Sequence, residues 1–260
     1  MIRRVAIERY TSGSLIVCED DLAVEEPLLV VLDAKPFATL MRTPGEDVPL
    51  VMGFLFSEGI IGKPEHVDSV RENVVNGSQE IHVKLAASCP PTQTAARSIY
   101  LSSSCGVCGR ASINELMERV EPIRPFSVSA EFLISLLDRF ALEQRQFVRT
   151  GGVHAAALFD ADGQLLGMEE DVGRHNALDK LLGKAFLDDQ LPLDEKILLM
   201  SSRASFDIVQ KAAMAGIPIV ATMGAASSLA ADLAQAAGIY LHCFLRSSSV
   251  VGFPLLPPSI

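Results

Sequence analysis

From residue 130 onward, short apolar runs alternate with amphipathic segments, and this alternation limits the chain to few folds. Residues 130–142 place Phe132, Leu133, Leu136, Leu137 and Phe140 on one side of a helix. Residues 153–159 and 164–168 flank Asp160-Ala161-Asp162-Gly163, a hairpin signal. A helix over 174–187 follows. Then come strand 196–200, helix 205–215, strand 217–222, helix 227–237 and strand 239–245. Gly216 and Gly238 fall just past two of these helices, where a left-handed residue is needed. Strands separated by helices need right-handed crossovers and a partly parallel sheet. The strands are apolar throughout rather than alternating, as expected when helices cover both faces.

The first half predicts shorter strands. Leu28 to Leu32 is one, with a turn at Asp33-Ala34-Lys35-Pro36. Thr43-Pro44-Gly45-Glu46-Asp47 opens a helix, with proline in its first turn and acids near the positive end of the dipole. Leu50, Met52, Phe54, Leu55 and Phe56 form its apolar face. Residues 67–75 and 80–85 pair around Asn76-Gly77. The reading is α/β, with a smaller mixed α+β domain over 1–125 and an α/β domain over 126–260.

The chain has 260 residues and a net charge of −10, which argues against general nucleic-acid binding. The first nine residues contain two arginines but no apolar run behind them, and no stretch is long enough to span a bilayer, so a cytoplasmic protein is expected.

The five cysteines, Cys18, Cys89, Cys105, Cys108 and Cys243, are odd in number and irregularly spaced, unlike a secreted disulfide framework. Cys243 reads as a core strand residue. Cys105 and Cys108 stand two residues apart in Ser104-Cys105-Gly106-Val107-Cys108-Gly109, so both sulfurs can face one object. A thiol just before a helix start is acidified by the dipole. Four readings stay open on spacing alone: half of a zinc site, a redox dithiol, a persulfide carrier, or two ordinary loop cysteines. Structural zinc usually takes four protein ligands, and no second CxxC is present.

Beyond the carboxyl ends of the strands stand Ser201-Ser202-Arg203-Ala204-Ser205, then Met223-Gly224-Ala225-Ala226-Ser227-Ser228, then Phe244-Leu245-Arg246-Ser247-Ser248-Ser249. Hydroxyls, guanidinium groups, small residues and a stackable ring suit a nucleotide there. The run from Glu169 to Lys180 is unusually polar. It reads either as site residues or as a cap, with Asp171 or Asn176 at the helix start and Asp179 and Lys180 solvated. His154 is a strand or pocket histidine, while His66 and His82 read as surface residues.

Several motifs in order then suggest a family. They are Met41-Arg42-Thr43-Pro44-Gly45, Gly53-Phe54-Leu55 with Ser57-Glu58-Gly59-Ile60-Ile61, and Cys105-Gly106-Val107-Cys108-Gly109. They continue with Thr150-Gly151-Gly152-Val153-His154-Ala155-Ala156, Asp171-Val172-Gly173-Arg174-His175-Asn176-Ala177, Lys211-Ala212-Ala213 and Ala215-Gly216-Ile217-Pro218. The chain resembles the FdhD/NarQ proteins, the formate dehydrogenase accessory sulfurtransferases.

The resemblance implies a second domain similar to the cytidine deaminase fold, and a homodimer. It implies that Cys105 takes sulfur from a cysteine desulfurase as a persulfide, with Cys108 assisting release. The acceptor would be the molybdenum or tungsten bis-guanine-dinucleotide cofactor needed by formate dehydrogenase. It also implies cofactor contacts over Phe244, Leu245, Arg246, Ser247, Ser248 and Ser249, and Arg203 joins them as a candidate; no resident metal is expected. The family pattern differs at Ser202, Ala226 and Cys243, where it commonly has glycine, proline and glycine. Two rivals remain. A zinc deaminase would need His-x-Glu and Pro-Cys-x-x-Cys, but His154 is followed by Ala155-Ala156 and Cys105 by no preceding proline. A cofactor-holding chaperone would need the pocket and not the cysteines.

Overall fold

A computed structural model describes residues 2–75, 77–90, 117, 120 and 123–255. The chain begins with a hairpin, β1 (Ile2–Thr11) and β2 (Ser14–Ala23), that joins neither larger sheet. A four-stranded sheet follows in the order β4-β3-β6-β5, from β3 (Glu26–Leu32), β4 (Lys35–Arg42), β5 (Val67–Val75) and β6 (Ser78–Leu85). β3 is antiparallel to β4 and parallel to β6.

Between β4 and β5 lies α1 (Asp47–Ser57). It starts later than the sequence suggested. Gly45 and Glu46 have φ of 101° and 56°, so Thr43 to Glu46 form a turn and not a first helical turn. The proline inside the helix start is Pro49, whose missing N–H is one that a first turn leaves unpaired anyway. α1 is buried on nearly all sides, because the four-stranded sheet covers one flank and a later helix the other. Phe54 meets Phe37 of β4, and Phe56 meets Phe186 of that helix, with ring centroids 6.2 and 5.8 Å apart.

The remaining elements are α2 (Ala130–Glu143), α3 (Arg145–Thr150), β7 (His154–Phe159), β8 (Leu165–Asp171), α4 (Arg174–Leu187), β9 (Ile197–Met200), α5 (Phe206–Met214), β10 (Ile219–Thr222), α6 (Ser228–Ala237), β11 (Tyr240–Arg246) and β12 (Ser249–Phe253). They form a six-stranded sheet, β12-β11-β10-β9-β7-β8, in which β9, β10 and β11 run parallel. The expected loop after the last strand is instead a turn. β11 continues to Arg246, reverses at Ser247-Ser248, and returns as β12.

The sheet is buried on both faces. Ala155, Ala157, Phe159, Leu199, Ile219 and Ala221 pack with Leu133, Leu136 and Phe140 of α2. Ala156, Leu158, Leu198, Met200, Val220 and Leu241 pack with α4, α5 and α6, and that cluster continues into α1 and the four-stranded sheet. The strand alternation of side chains thus feeds two helix layers, which is why these strands read as uniformly apolar.

Candidate functional site

The ends of β9, β10 and β11 share one edge of the six-stranded sheet. Their loops continue the ladder beyond the strands. Gly224 N donates to Ser202 O at 2.9 Å, Ala204 N to Ala225 O at 3.0 Å, and Phe244 N to Gly224 O at 3.2 Å. The result is a laterally bonded floor. Gly224 packs closely on the Arg203 loop: an added Cβ would lie 2.7 Å from Arg203 Cα and 2.8 Å from Arg203 N. Cys243 is buried at the strand, as expected, with Thr222 Oγ1 3.4 Å from its sulfur.

This edge brings Arg203 and Phe244 together, one on each side of Gly224. Arg203 is exposed, and its guanidinium makes no hydrogen bond or ion pair among the described residues. Phe244 is 46% exposed and held at φ 52°, which turns its ring out of the core. Leu245 is buried on the α2 face, so only its backbone is open to a ligand. Arg246 is committed to the loop: its Nη1 donates to Met223 O at 2.7 Å and Leu245 O at 2.8 Å. Ser247, Ser248 and Ser249 are exposed at the turn. Cys105 and Cys108 lie outside the described residues.

The same edge carries His154 and Asp171, which are paired across β7 and β8, and the start of α4. Asp179 and Lys180 are not solvated, contrary to the cap reading: each is 2% exposed. α4 is enclosed between the sheet and α1, so its polar side chains bond inward. Asp171 accepts from Thr43 N at 3.0 Å, Gly173 N at 2.8 Å and Asn176 Nδ2 at 3.0 Å, and Lys180 Nζ lies 2.8 Å from it. Lys180 also donates to Thr43 O at 2.8 Å. Asp179 accepts from Lys211 at 2.8 and 2.9 Å and from Ser57 Oγ at 3.0 Å. Arg42 forks onto Asp47 at 2.9 Å through two bonds and also reaches Gln79. Buried charges persist only when paired in this way. The density of polar residues after β8 was a signal in the sequence; their partners more than a hundred positions away were not.

Burial lowers the pKa of His154, and the positive charges of Arg174 and His175 lower it further. Burial alone lowers that of His242, whose Nδ1 has no hydrogen-bond partner. His175 beside Asp207 lowers the carboxyl of Asp207, while burial raises that of Glu58. A histidine whose folded pKa is depressed contributes stability above its unfolded pKa and loses it as pH falls. The melting temperature should therefore drop between pH about 7 and about 5, and drop less in His242→Gln. Glu58 acts in the opposite sense, so the test is the difference in slope between variant and wild type in thermal melts. Equal slopes would remove His242 from the explanation.

Among the described residues, no group of three or more His, Cys, Asp or Glu side chains is placed to hold a metal ion, and no helix is long and apolar enough to cross a membrane. The sequence model of the FdhD/NarQ family matches residues 23–253. Proteins named Sulfur carrier protein FdhD from Streptomyces avermitilis and Streptomyces coelicolor are 43% and 45% identical over 258 residues, covering 95% of this chain and 92% of each relative. One of the same name from Sulfurisphaera tokodaii is 41% identical over 251 residues, covering 95% of both chains. The crystal structure of a candidate formate dehydrogenase accessory protein from Desulfotalea psychrophila has the same fold, with a TM-score of 0.78 at 23% identity over 99% of this chain and 98% of its own.

Proposed function

The chain belongs to the FdhD/NarQ family, and on that footing we propose that it is a sulfur carrier serving formate dehydrogenase. The observation that carries the reading is the near full-length likeness to proteins named as sulfur carriers. A CxxC pair without a second ligand pair agrees with it.

In this reading the Cys105 thiolate attacks the outer sulfur of a cysteine desulfurase persulfide. A new S–S bond forms on Cys105, the old one breaks, and the desulfurase thiolate leaves. Cys108 then attacks Cys105 and expels hydrosulfide toward the acceptor, the molybdenum or tungsten bis-guanine-dinucleotide cofactor. The pair is left as a disulfide, which a dithiol reductant must reopen. The nucleotide ends of that substrate dock at the edge carrying Arg203 and Phe244 to Ser249. Docking raises the effective concentration of the metal centre near the sulfur. The carrier works in the cytoplasm as a homodimer.

Mass spectrometry after incubation with desulfurase and cysteine tests this. The wild type should gain one sulfur at Cys105, removable by dithiothreitol. Cys105→Ala should gain none and should not restore formate dehydrogenase activity to cells lacking the carrier. A Cys105→Ala protein that still holds labile sulfur and still restores activity would sink the proposal.

A further inference from the structure

β8 is the outer strand of the six-stranded sheet, and its far side carries no further strand among the described residues. The direction of its main-chain groups follows from β7. Ala155 N donates to Ser201 Oγ at 2.9 Å, and Ala155 O accepts from Ser201 N at 3.0 Å, so Ala155 bonds toward the β9 side. Successive residues of a strand bond to opposite sides. His154, Ala156 and Leu158 therefore bond to their β8 partners Asp171, Glu169 and Gly167. The main-chain N–H and C=O groups of Met168 and Glu170 point the other way, off the sheet. They meet no hydrogen-bond partner among the described residues.

This open edge lies in a cavity of about 480 Å³, lined by the Pro44-Gly45-Glu46 turn and by Glu143, Arg145 and Gln146, where α2 passes into α3. Neighbouring strand residues point to opposite faces, so the edge has a wall on each side. On one side Glu169 is bridged through Lys184 to Glu46. On the other, Glu170 accepts from Gln146 N at 2.7 Å and Phe147 N at 2.9 Å. Four of the lining side chains, those of Glu46, Glu143, Glu169 and Glu170, are acids. The lining cations are Arg145 and Lys180, and Lys180 is matched by Asp171. The groove is therefore acidic even when Lys184 is counted. Leu166, Phe147 and Val148 stand exposed beside it.

An unpaired strand edge is a template for another chain unless it is covered or guarded. Charge selects the occupant here. β8 ends in Glu169-Glu170-Asp171, so a second copy paired edge to edge would set two runs of carboxylates against each other. We propose that the open edge of β8 seats an extended, lysine- or arginine-bearing segment of a protein partner by strand addition. Main-chain bonds to Met168 and Glu170 hold the segment, and the carboxylates on both walls select its cations. The exposed apolar side chains beside the groove receive the residues between those cations. The seat does not depend on the sulfur chemistry. It lies on the opposite side of the sheet from β11 and Phe244.

Titration of the isotope-labelled full chain with acetyl-Val-Lys-Val-Lys-Val-Lys-amide, followed by nuclear magnetic resonance, tests the proposal. The peptide should bind with a dissociation constant below about 1 mM. The amide signals of Met168 and Glu170 should move and gain protection from exchange. Those of Gly167 and Glu169, already bonded to β7, should move less. A copy of the peptide N-methylated throughout cannot donate to the edge and should bind about tenfold or more weakly, and so should a copy with glutamate for lysine. Glu143→Lys, on the rim, should weaken the lysine peptide by about threefold or more, with melting as the check that it is folded. Still signals at Met168 and Glu170 with the peptide at about 1 mM would overturn the seat. Equal affinity of either altered peptide, or unchanged affinity in Glu143→Lys, would overturn it as well. Light scattering of the protein alone covers the remaining occupant: a dimer whose formation abolishes the peptide shifts would assign the edge to a second copy and overturn the proposal.

Discussion

Gly183→Ala is expected to lower the melting temperature by about 6–12 °C or to prevent folding. α1 and α4 cross with their backbones in contact at Gly53 and Gly183. A Cβ on Gly183 would overlap the carbonyl oxygen of Pro49 and come within 2.8 Å of Gly53 N. A Cβ on Gly53 would overlap the carbonyl oxygen of Asp179 and come within 2.8 Å of Gly183 N. These are main-chain atoms of two buried helices, so no side chain can swing aside. The helices must separate, which opens the core between Leu50, Leu178 and Leu182. Overpacking costs about 1–3 kcal/mol where side chains can yield and more where main chain meets main chain, so a cost of about 4 kcal/mol is expected here against a gain of about 1 kcal/mol in helix propensity. A net loss near 3 kcal/mol corresponds to the stated shift for a chain of this size. Gly62→Ala is the control, since its Cβ would meet only the His66 ring at 3.7 Å. Differential scanning calorimetry decides. Equal melting of the Gly183→Ala protein and the wild type would contradict the close crossing.

Lys211→Met should cost about 3–5 kcal/mol. It leaves the Asp179 carboxylate inside the helix layers with the Ser57 hydroxyl as its remaining donor among the described residues. Methionine fills much of the lysine volume, so the loss reports the stranded charge and not a cavity. Adding Asp179→Asn should recover part of the loss, because the amide is neutral, and the pair should be strongly non-additive. The pH dependence has a definite sign. Burial already raises the pKa of Asp179, and removing Lys211 raises it further. An acid with a raised folded pKa favours the native state below its unfolded value, so Lys211→Met should regain stability on acidification toward pH about 4. Urea titrations at two pH values measure this. A Lys211→Met protein as stable as the wild type at neutral pH would show that the pair is not closed to water.

Much of the second half was legible because its signals are local. The helix over 174–187 follows from its apolar spacing, and Gly238 stops α6 in a left-handed conformation at φ 75°. Asp160 Oδ1 accepts from Asp162 N at 3.0 Å and Gln164 N at 2.8 Å, so the hairpin at Asp160-Ala161-Asp162-Gly163 is written in side chains that bond their own turn. The β1–β2 hairpin, the short α3 and the edge strand β12 were missed. They have mixed polar and apolar residues on both faces and carry no clean period. The start of α1 was misplaced because the positive φ of Glu46 is imposed by the turn and not by its own preference.

The candidate site divides along the same line. The chemistry of the chain was determined by sequence alone: a close cysteine pair, strand ends rich in arginine and serine, and a polar run opening α4. Tertiary structure decided which of those groups are free to act. Lys180 and Asp179 read as solvated cap residues, and they are consumed by partners in other elements. The reason is physical. A residue type sets which bonds a side chain can make, but desolvation and pairing depend on which distant elements pack against it, and only the folded chain specifies those neighbours.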